Sequence, residues 1–195
     1  MKNRHRTPVF ATAIAAVILS PSIGLTQAFP GGALYTVVIP AGEFGSSAFT
    51  SVVVSGLASA YKFCSQLPDA AYRVDCLAER FGEIAKGIPR GTDYDEVRQI
   101  LESTSQQVAE LARKNRDPSG QRARMKRPGS SESTSRPLTP INPAATAQVN
   151  RQALAILNST QTLLLRSAEG SKSKSAQYAQ IADAVGSNKV LLRAA

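Results

Sequence analysis

Apolar residues recur at intervals of three and four along two adjacent stretches of this chain. The first series is Val74, Leu77, Phe81, Ile84 and Ile88, and the second is Tyr94, Val97, Leu101, Thr104, Val108 and Leu111. This spacing places each series on one face of an α-helix. Narrow apolar stripes of this kind resemble coiled-coil seams and need a partner helix to cover them. We therefore expect helices that pack on one another, or partly on another subunit.

Helix start and stop signals delimit these two predicted helices. Pro68 and Asp69 favour the start of the first, because proline lacks the N–H that a first turn leaves unpaired and aspartate complements the helix dipole. Gly87, Pro89 and Gly91 are expected to end it. Thr92 is predicted to cap the second helix by accepting hydrogen bonds from backbone N–H groups of its first turn.

Two further regions show helical spacing. Residues from Ser47 to Cys64 predict a helix, although the β-branched run at 52–54 leaves a strand as the alternative there. Residues 144–195 predict a second, C-terminal helical segment. The predicted fold is mainly α, either a small helical bundle or a set of helical hairpins, with one helical module at 47–114.

Residues 115–143 differ in composition from the helical regions. Gly, Pro, Ser and Arg dominate this segment, and large apolar residues are nearly missing from it. A segment of this kind buries too little apolar surface to offset the entropy lost on ordering. We therefore predict a long disordered basic linker between the two helical parts.

The positive charge of the chain is concentrated around this segment. Residues 113–136 contain eight basic side chains and two acidic ones, whereas the rest of residues 29–195 contains twelve of each. The eight bases, which are candidates for contact with an anion, are Arg113, Lys114, Arg116, Arg122, Arg124, Lys126, Arg127 and Arg136. A solvated spacer is the favoured interpretation of this charge, and contact with an anionic partner is the alternative. Residues 113–143 contain no aromatic side chain that could stack on a base, so nucleic acid is not the expected partner.

The first 28 residues have the layout of a secretory signal peptide. A basic start precedes the uncharged apolar run from Val9 to Leu19, and small residues precede a predicted cleavage site near Ala28. The run is shorter than the roughly 20 residues that span a bilayer, and no later segment predicts a transmembrane helix. We expect an exported protein, periplasmic or secreted, with residues 29–46 as an extended N-terminal arm. An uncleaved N-terminal anchor is the alternative.

The two cysteines, Cys64 and Cys76, lie in the two predicted helices that flank Pro68. Export would place them where disulfides persist, so we predict that they form one. Two separately buried thiols are the alternative. The eleven residues between them do not match the close spacing of a catalytic thiol pair.

The functional prediction depends largely on which residues are missing. The only histidine, His5, lies in the predicted signal peptide, and no phosphate-binding glycine motif occurs. The mature chain thus lacks the histidine of common nucleophilic and metal sites, and we predict no catalytic residue, metal or cofactor. We expect a non-catalytic binding or scaffolding protein that contacts another envelope protein or an anionic envelope surface. The alternative is an envelope-polymer hydrolase using Asp and Glu carboxylates; the oligomeric state is left open.

Overall fold

The computed structural model describes residues 47–169 and 172–193. The predicted signal peptide and the predicted arm at 29–46 lie outside these residues. The described helices are α1 (Ser47–Ser65), α2 (Arg73–Gly87), α3 (Asp95–Lys114), α4 (Thr146–Ser167), α5 (Lys172–Ser187) and α6 (Val190–Arg193). Two short 3-10 turns, Ala70–Tyr72 and Pro143–Ala145, precede α2 and α4. The prediction of a mainly α fold is confirmed.

The five longer helices form a bundle that closes on itself. Helix α2 packs between α1 and α3, α4 packs on α3, and α5 packs on both α4 and α1. The two apolar series that predicted α2 and α3 face this core, with every member buried except the partly buried Leu111. The stripes therefore cover one another within a single chain.

Helix α1 is continuous through its β-branched run. Val53 is buried on its core face, together with Phe49, Leu57 and Ala60. These residues follow one another at spacings of three and four, so tertiary packing favours the helix over the strand that local propensity allowed.

The start of α3 differs in detail from the prediction. Helix α3 begins at Asp95, and Thr92 accepts a hydrogen bond from Tyr94 N–H without capping the helix itself. The Asp95 carboxylate accepts a hydrogen bond from Gly91 N–H and pairs with Arg98, and both interactions lower the pKa of Asp95.

Polar contacts also join the helices inside the core. The hydroxyl oxygens of Thr104 on α3 and Thr160 on α4 lie 2.7 Å apart, and both residues are buried. Tyr94 donates its phenolic proton to Gln177 on α5 over 2.6 Å. Buried polar groups that satisfy one another in this way fix which helix faces meet.

The structure corrects the prediction of a disordered linker at 115–143. An outgoing arm (residues 116–127) and a returning arm (residues 132–141) run antiparallel and are joined by isolated backbone bridges; together they form what we call the ribbon. Gly129 turns the chain at its tip with a φ of 69°, a conformation that glycine adopts without strain. Leu138 and Ile141 are buried in the core. Composition missed this order because two apolar anchors and a set of polar contacts to α2 are sufficient to hold the segment.

Cys64 and Cys76 lie at disulfide distance. Cys64 is on the last turn of α1 and Cys76 on the first turn of α2, their Cα atoms are 5.8 Å apart, and both residues are fully buried. The pair joins two helices that the short connection around Pro68 already holds close together.

Replacing both cysteines by alanine (C64A/C76A) should lower the free energy of unfolding by about 3 kcal/mol, because the cross-link restricts the unfolded chain. Urea denaturation of the oxidised protein, the reduced protein and the variant would measure this difference. Reduction should bring the wild type close to the variant. Alkylation of both thiols in unreduced protein would contradict the pairing.

Candidate functional site

Helix α2 carries a stripe of three acidic side chains. Asp75, Glu79 and Glu83 are spaced four residues apart and therefore lie on one face of the helix. The side chains of Asp75 and Glu79 are almost fully buried, and their ion-pair partners, Arg136 and Arg80, do not lie on α1 or α3. The ribbon covers this face, so α2 is enclosed on all sides from Val74 to Phe81.

The carboxylate of Asp75 accepts three hydrogen bonds from the returning arm. Arg136 donates from both terminal nitrogens, Nη1 to Oδ2 over 2.8 Å and Nη2 to Oδ1 over 2.7 Å. The backbone N–H of Thr139 also donates to Oδ2, over 2.7 Å. A bidentate guanidinium and carboxylate pair is among the strongest hydrogen-bonded contacts in proteins. The same contact raises the pKa of Arg136.

Glu79 holds the arm one helical turn further along. Its Oε1 accepts from the backbone N–H of Ser135 over 2.7 Å. The Ser135 hydroxyl lies 2.8 Å from Glu79 and 2.9 Å from Glu83, and its single proton can serve one of them at a time. Burial raises the pKa of Glu79, while Arg80 and the Ser135 hydrogen bonds act in the opposite direction.

Arg80 supplies the basic counterpart on α2. Its side chain is fully buried, and its Nε lies 2.9 Å from Glu79 Oε2. Nη2 donates to the backbone carbonyl of Ser133 over 3.1 Å, and the guanidinium lies 3.8 Å from the centre of the Phe63 ring on α1. A cation over an aromatic face is favourable in a desolvated site. Arg80 thus connects α1, α2 and the ribbon.

The two arms of the ribbon pair with a shift in register. Ala123 exchanges both backbone hydrogen bonds with Leu138, whereas Met125 C=O accepts from Thr134 N–H. The returning arm therefore has two more residues than the outgoing arm between these pairs. The extra length includes Pro137, which has no N–H to donate to a partner strand. It brings Ser135 and Arg136 out toward the acidic stripe, while the outgoing arm stays on the far side of the ribbon.

The structure divides the eight predicted anion contacts into two groups. Four have acidic partners within the chain: Arg136 pairs with Asp75, Arg127 with Glu132, and Arg113 and Lys114 with Glu110. The other four, Arg116, Arg122, Arg124 and Lys126, are exposed on the outgoing arm and have no ion pair among the described residues. The prediction thus combined internal structural contacts with a smaller exposed set.

Three bases of the exposed set lie in a row. Arg122, Arg124 and Lys126 are exposed, whereas the intervening Ala123 and Met125 are partly buried. In an extended arm, alternate residues point to the same side, about 6.8 Å apart. Arg124 additionally donates to Thr134 C=O over 3.4 Å. We call Arg122, Arg124 and Lys126 the basic row.

The acidic residues that sequence analysis did not single out are the ones that build this site. Asp75 and Glu79 carried a signal, since charged residues at a spacing of four interrupt a buried helix. Their partners, however, lie 56 to 64 residues later in the chain. Sequence spacing alone does not connect positions so far apart.

The described residues include no group of His, Cys, Asp and Glu side chains that could hold a metal ion. None of the helices among them combines the length and the apolar character of a membrane span. The acidic residues at the start of α3 pair with cations, Asp95 with Arg98 and Glu96 with Lys174. Comparison with protein-family models, curated proteins and solved structures returns no match for this chain.

Replacing Asp75 by alanine should destabilise the protein by about 3 kcal/mol. The change leaves the buried N–H of Thr139 and the guanidinium of Arg136 without their acceptor. Glu110→Ala is the matched control, because it removes an exposed carboxylate that pairs with Arg113 and should cost at most about 1 kcal/mol. Urea denaturation would measure both.

Trypsin should also cut the ribbon of the Asp75→Ala protein faster than that of the control, since the returning arm loses its strongest contact. Equal stability and equal cleavage of the two variants would show that Asp75 does not hold the ribbon.

Proposed function

We propose that this protein is an exported, non-catalytic protein of the cell envelope that binds an anionic partner through the basic row. The observation that carries the proposal is the exposure of Arg122, Arg124 and Lys126 on an arm that other contacts hold in place. Because the arm is ordered before binding, little backbone entropy is lost when a partner binds.

The bases that hold the ribbon differ from those that are exposed. Arg136 and Arg127 are paired with Asp75 and Glu132 inside the chain. Their neutralisation leaves the exposed charge of the ribbon mainly on the outgoing arm. Such a local surplus attracts anions and speeds association at low ionic strength.

Two features support export. Residues 1–28 have the charge and apolar pattern of a signal peptide. The cysteine pair at disulfide distance fits an oxidising compartment, which the envelope of many cells provides.

The environment of the acidic residues favours binding over hydrolysis. A glycosidase needs two carboxylates that face each other across an accessible cleft. Asp75 and Glu79, the most deeply buried acidic pair among the described residues, accept hydrogen bonds from the ribbon that covers them. A substrate would have to displace the returning arm to reach either carboxylate.

Neutralising the basic row with R122Q/R124Q/K126Q should strongly weaken salt-dependent anion binding. Each base near an anionic surface contributes about 1 kcal/mol, so removing three should weaken binding about a hundredfold at low salt. Polyglutamate and anionic phospholipid vesicles serve as separate probes, measured by anisotropy and by co-sedimentation at increasing salt concentrations.

The matched control is K62Q/R151Q/R166Q, which removes the same charge from exposed positions on α1 and α4. It should bind like the wild type. Equal loss of binding in both triple variants would contradict a specific basic row. Point variants are preferable to deleting residues 115–143, because the deletion would strip Asp75 and Glu79 of their partners.

The export proposal predicts a mature chain that begins near Phe29. Expression of the full chain, followed by fractionation and N-terminal mass spectrometry, should find this product outside the cytoplasm. An intact leader in the membrane fraction would instead support the uncleaved anchor.

A further inference from the structure

The outgoing arm uses only one of its two backbone edges within the ribbon. Ala123 bonds to Leu138 through both its N–H and C=O, Met125 C=O accepts from Thr134, and Arg127 N–H donates to Glu132. All the residues of the outgoing arm in these contacts have odd numbers. In an extended strand, the main-chain groups of successive residues point to opposite edges.

The opposite edge is formed by the residues of the basic row. The main-chain N–H and C=O groups of Arg122, Arg124 and Lys126 point away from the returning arm, and no backbone partner is found for them in the described part of the chain. The returning arm already pairs with the other edge of the outgoing arm. Its own outer edge bonds to α2 through Ser133, Ser135 and Thr139. The same three residues thus offer an open edge and three positive charges.

We infer that this edge binds an extended peptide with acidic residues at alternate positions, which adds to the ribbon as a third strand. The inference rests on the proposed function and names the class of partner. Strand addition to an exposed edge is a recurring form of peptide recognition, in which backbone hydrogen bonds supply affinity and alternate side chains supply specificity.

The spacing of charges matches such a peptide. Alternate side chains of two neighbouring strands have the same repeat of about 6.8 Å, so three carboxylates can lie directly opposite the three bases. Opposite charges in cross-strand positions are stabilising. A lipid head group offers the charge, but it lacks the alternating donors and acceptors that the open edge presents.

A second copy of the same arm is a poor occupant of this edge. Pairing two outgoing arms would bring basic rows together, and like charges in cross-strand positions are destabilising. Basic residues on an edge strand are also a common means of preventing self-association. An acidic strand has the complementary charge and escapes this repulsion.

The length of the edge limits the peptide. The outgoing arm is bounded by the turn at Asp117–Gly120 and by Pro128, which has no N–H and precedes the tip. The open edge extends from Arg122 to Lys126, because the Gln121 carbonyl accepts a hydrogen bond from the Tyr72 hydroxyl and Arg127 N–H donates to Glu132. A segment of about five residues fills it at about 3.4 Å per residue.

Two variants at position 124 separate the contribution of the backbone hydrogen bond to binding from that of the side-chain charge. Arg124→Gln and Arg124→Pro both remove the guanidinium, but only proline removes the outward N–H, while the inward bonds of Ala123 and Met125 remain. The probe is a fluorescent peptide with glutamate at every second position and valine between. Binding to the protein obtained from the full chain, followed by anisotropy at low salt, should weaken several-fold in the glutamine variant and about a further tenfold in the proline variant.

Peptide variants test the same point on the wild-type protein, in case Arg124→Pro perturbs folding. N-methylation of the backbone positions facing the arm should weaken binding about tenfold. A peptide of the same composition with its glutamates adjacent should also bind more weakly. Circular dichroism and thermal unfolding of the Arg124→Pro protein would verify its fold.

Each outcome decides the inference. Strand addition is overturned if the N-methylated and unmodified peptides bind equally, or if anionic vesicles bind and peptides do not; the proposed anion binding survives both results. If the wild type binds neither peptide, polyglutamate nor vesicle, the proposed function fails together with the inference.

Discussion

The contact on which the rest of this structure depends is the carboxylate of Asp75 with Arg136 and the backbone of Thr139. It brings a basic segment of low apolar content onto the most buried helix of the bundle. One helical turn further along α2, the negative Glu79 and the positive Arg80 also bond to the backbone of the returning arm. Removing charged groups from water is costly, and here nearly every charge that is buried meets an opposite charge or a backbone dipole. The buried network requires the ribbon, and the ribbon requires the network.

This dependence explains why the exposed charges are held in a fixed geometry. The returning arm uses one edge on α2 and the other on the outgoing arm. The outgoing arm is thereby kept extended at the surface, where Arg122, Arg124 and Lys126 are exposed. A flexible linker of the same composition would carry the same net charge without a fixed spacing. The proposed recognition of an extended acidic strand depends on that spacing, whereas simple attraction to an anionic surface does not.

The helices were accessible to prediction because their signals are local. Spacings of three and four between apolar residues place the stripes of α2 and α3, and the members of both series are buried in the structure except for the partly buried Leu111. The cysteine pair was accessible for a related reason, since a short turn joins the two helices that carry Cys64 and Cys76. The β-branched run at 52–54, for which a strand was the alternative, is also helical, in keeping with the spacing of the apolar residues around it.

The amino-acid sequence by itself determined the mainly helical architecture, the position of the cysteine pair and the location of the positive charge. Tertiary structure alone decided that residues 115–143 are ordered, which of the eight bases are neutralised, and which backbone edge stays open. The physical reason is distance along the chain. Arg136 meets a carboxylate 61 residues earlier, and the composition around either residue contains no sign of the other. The local sequence predicts the conformational entropy that is lost when the ribbon is ordered. Only the folded structure shows that contacts with α2 compensate for this loss.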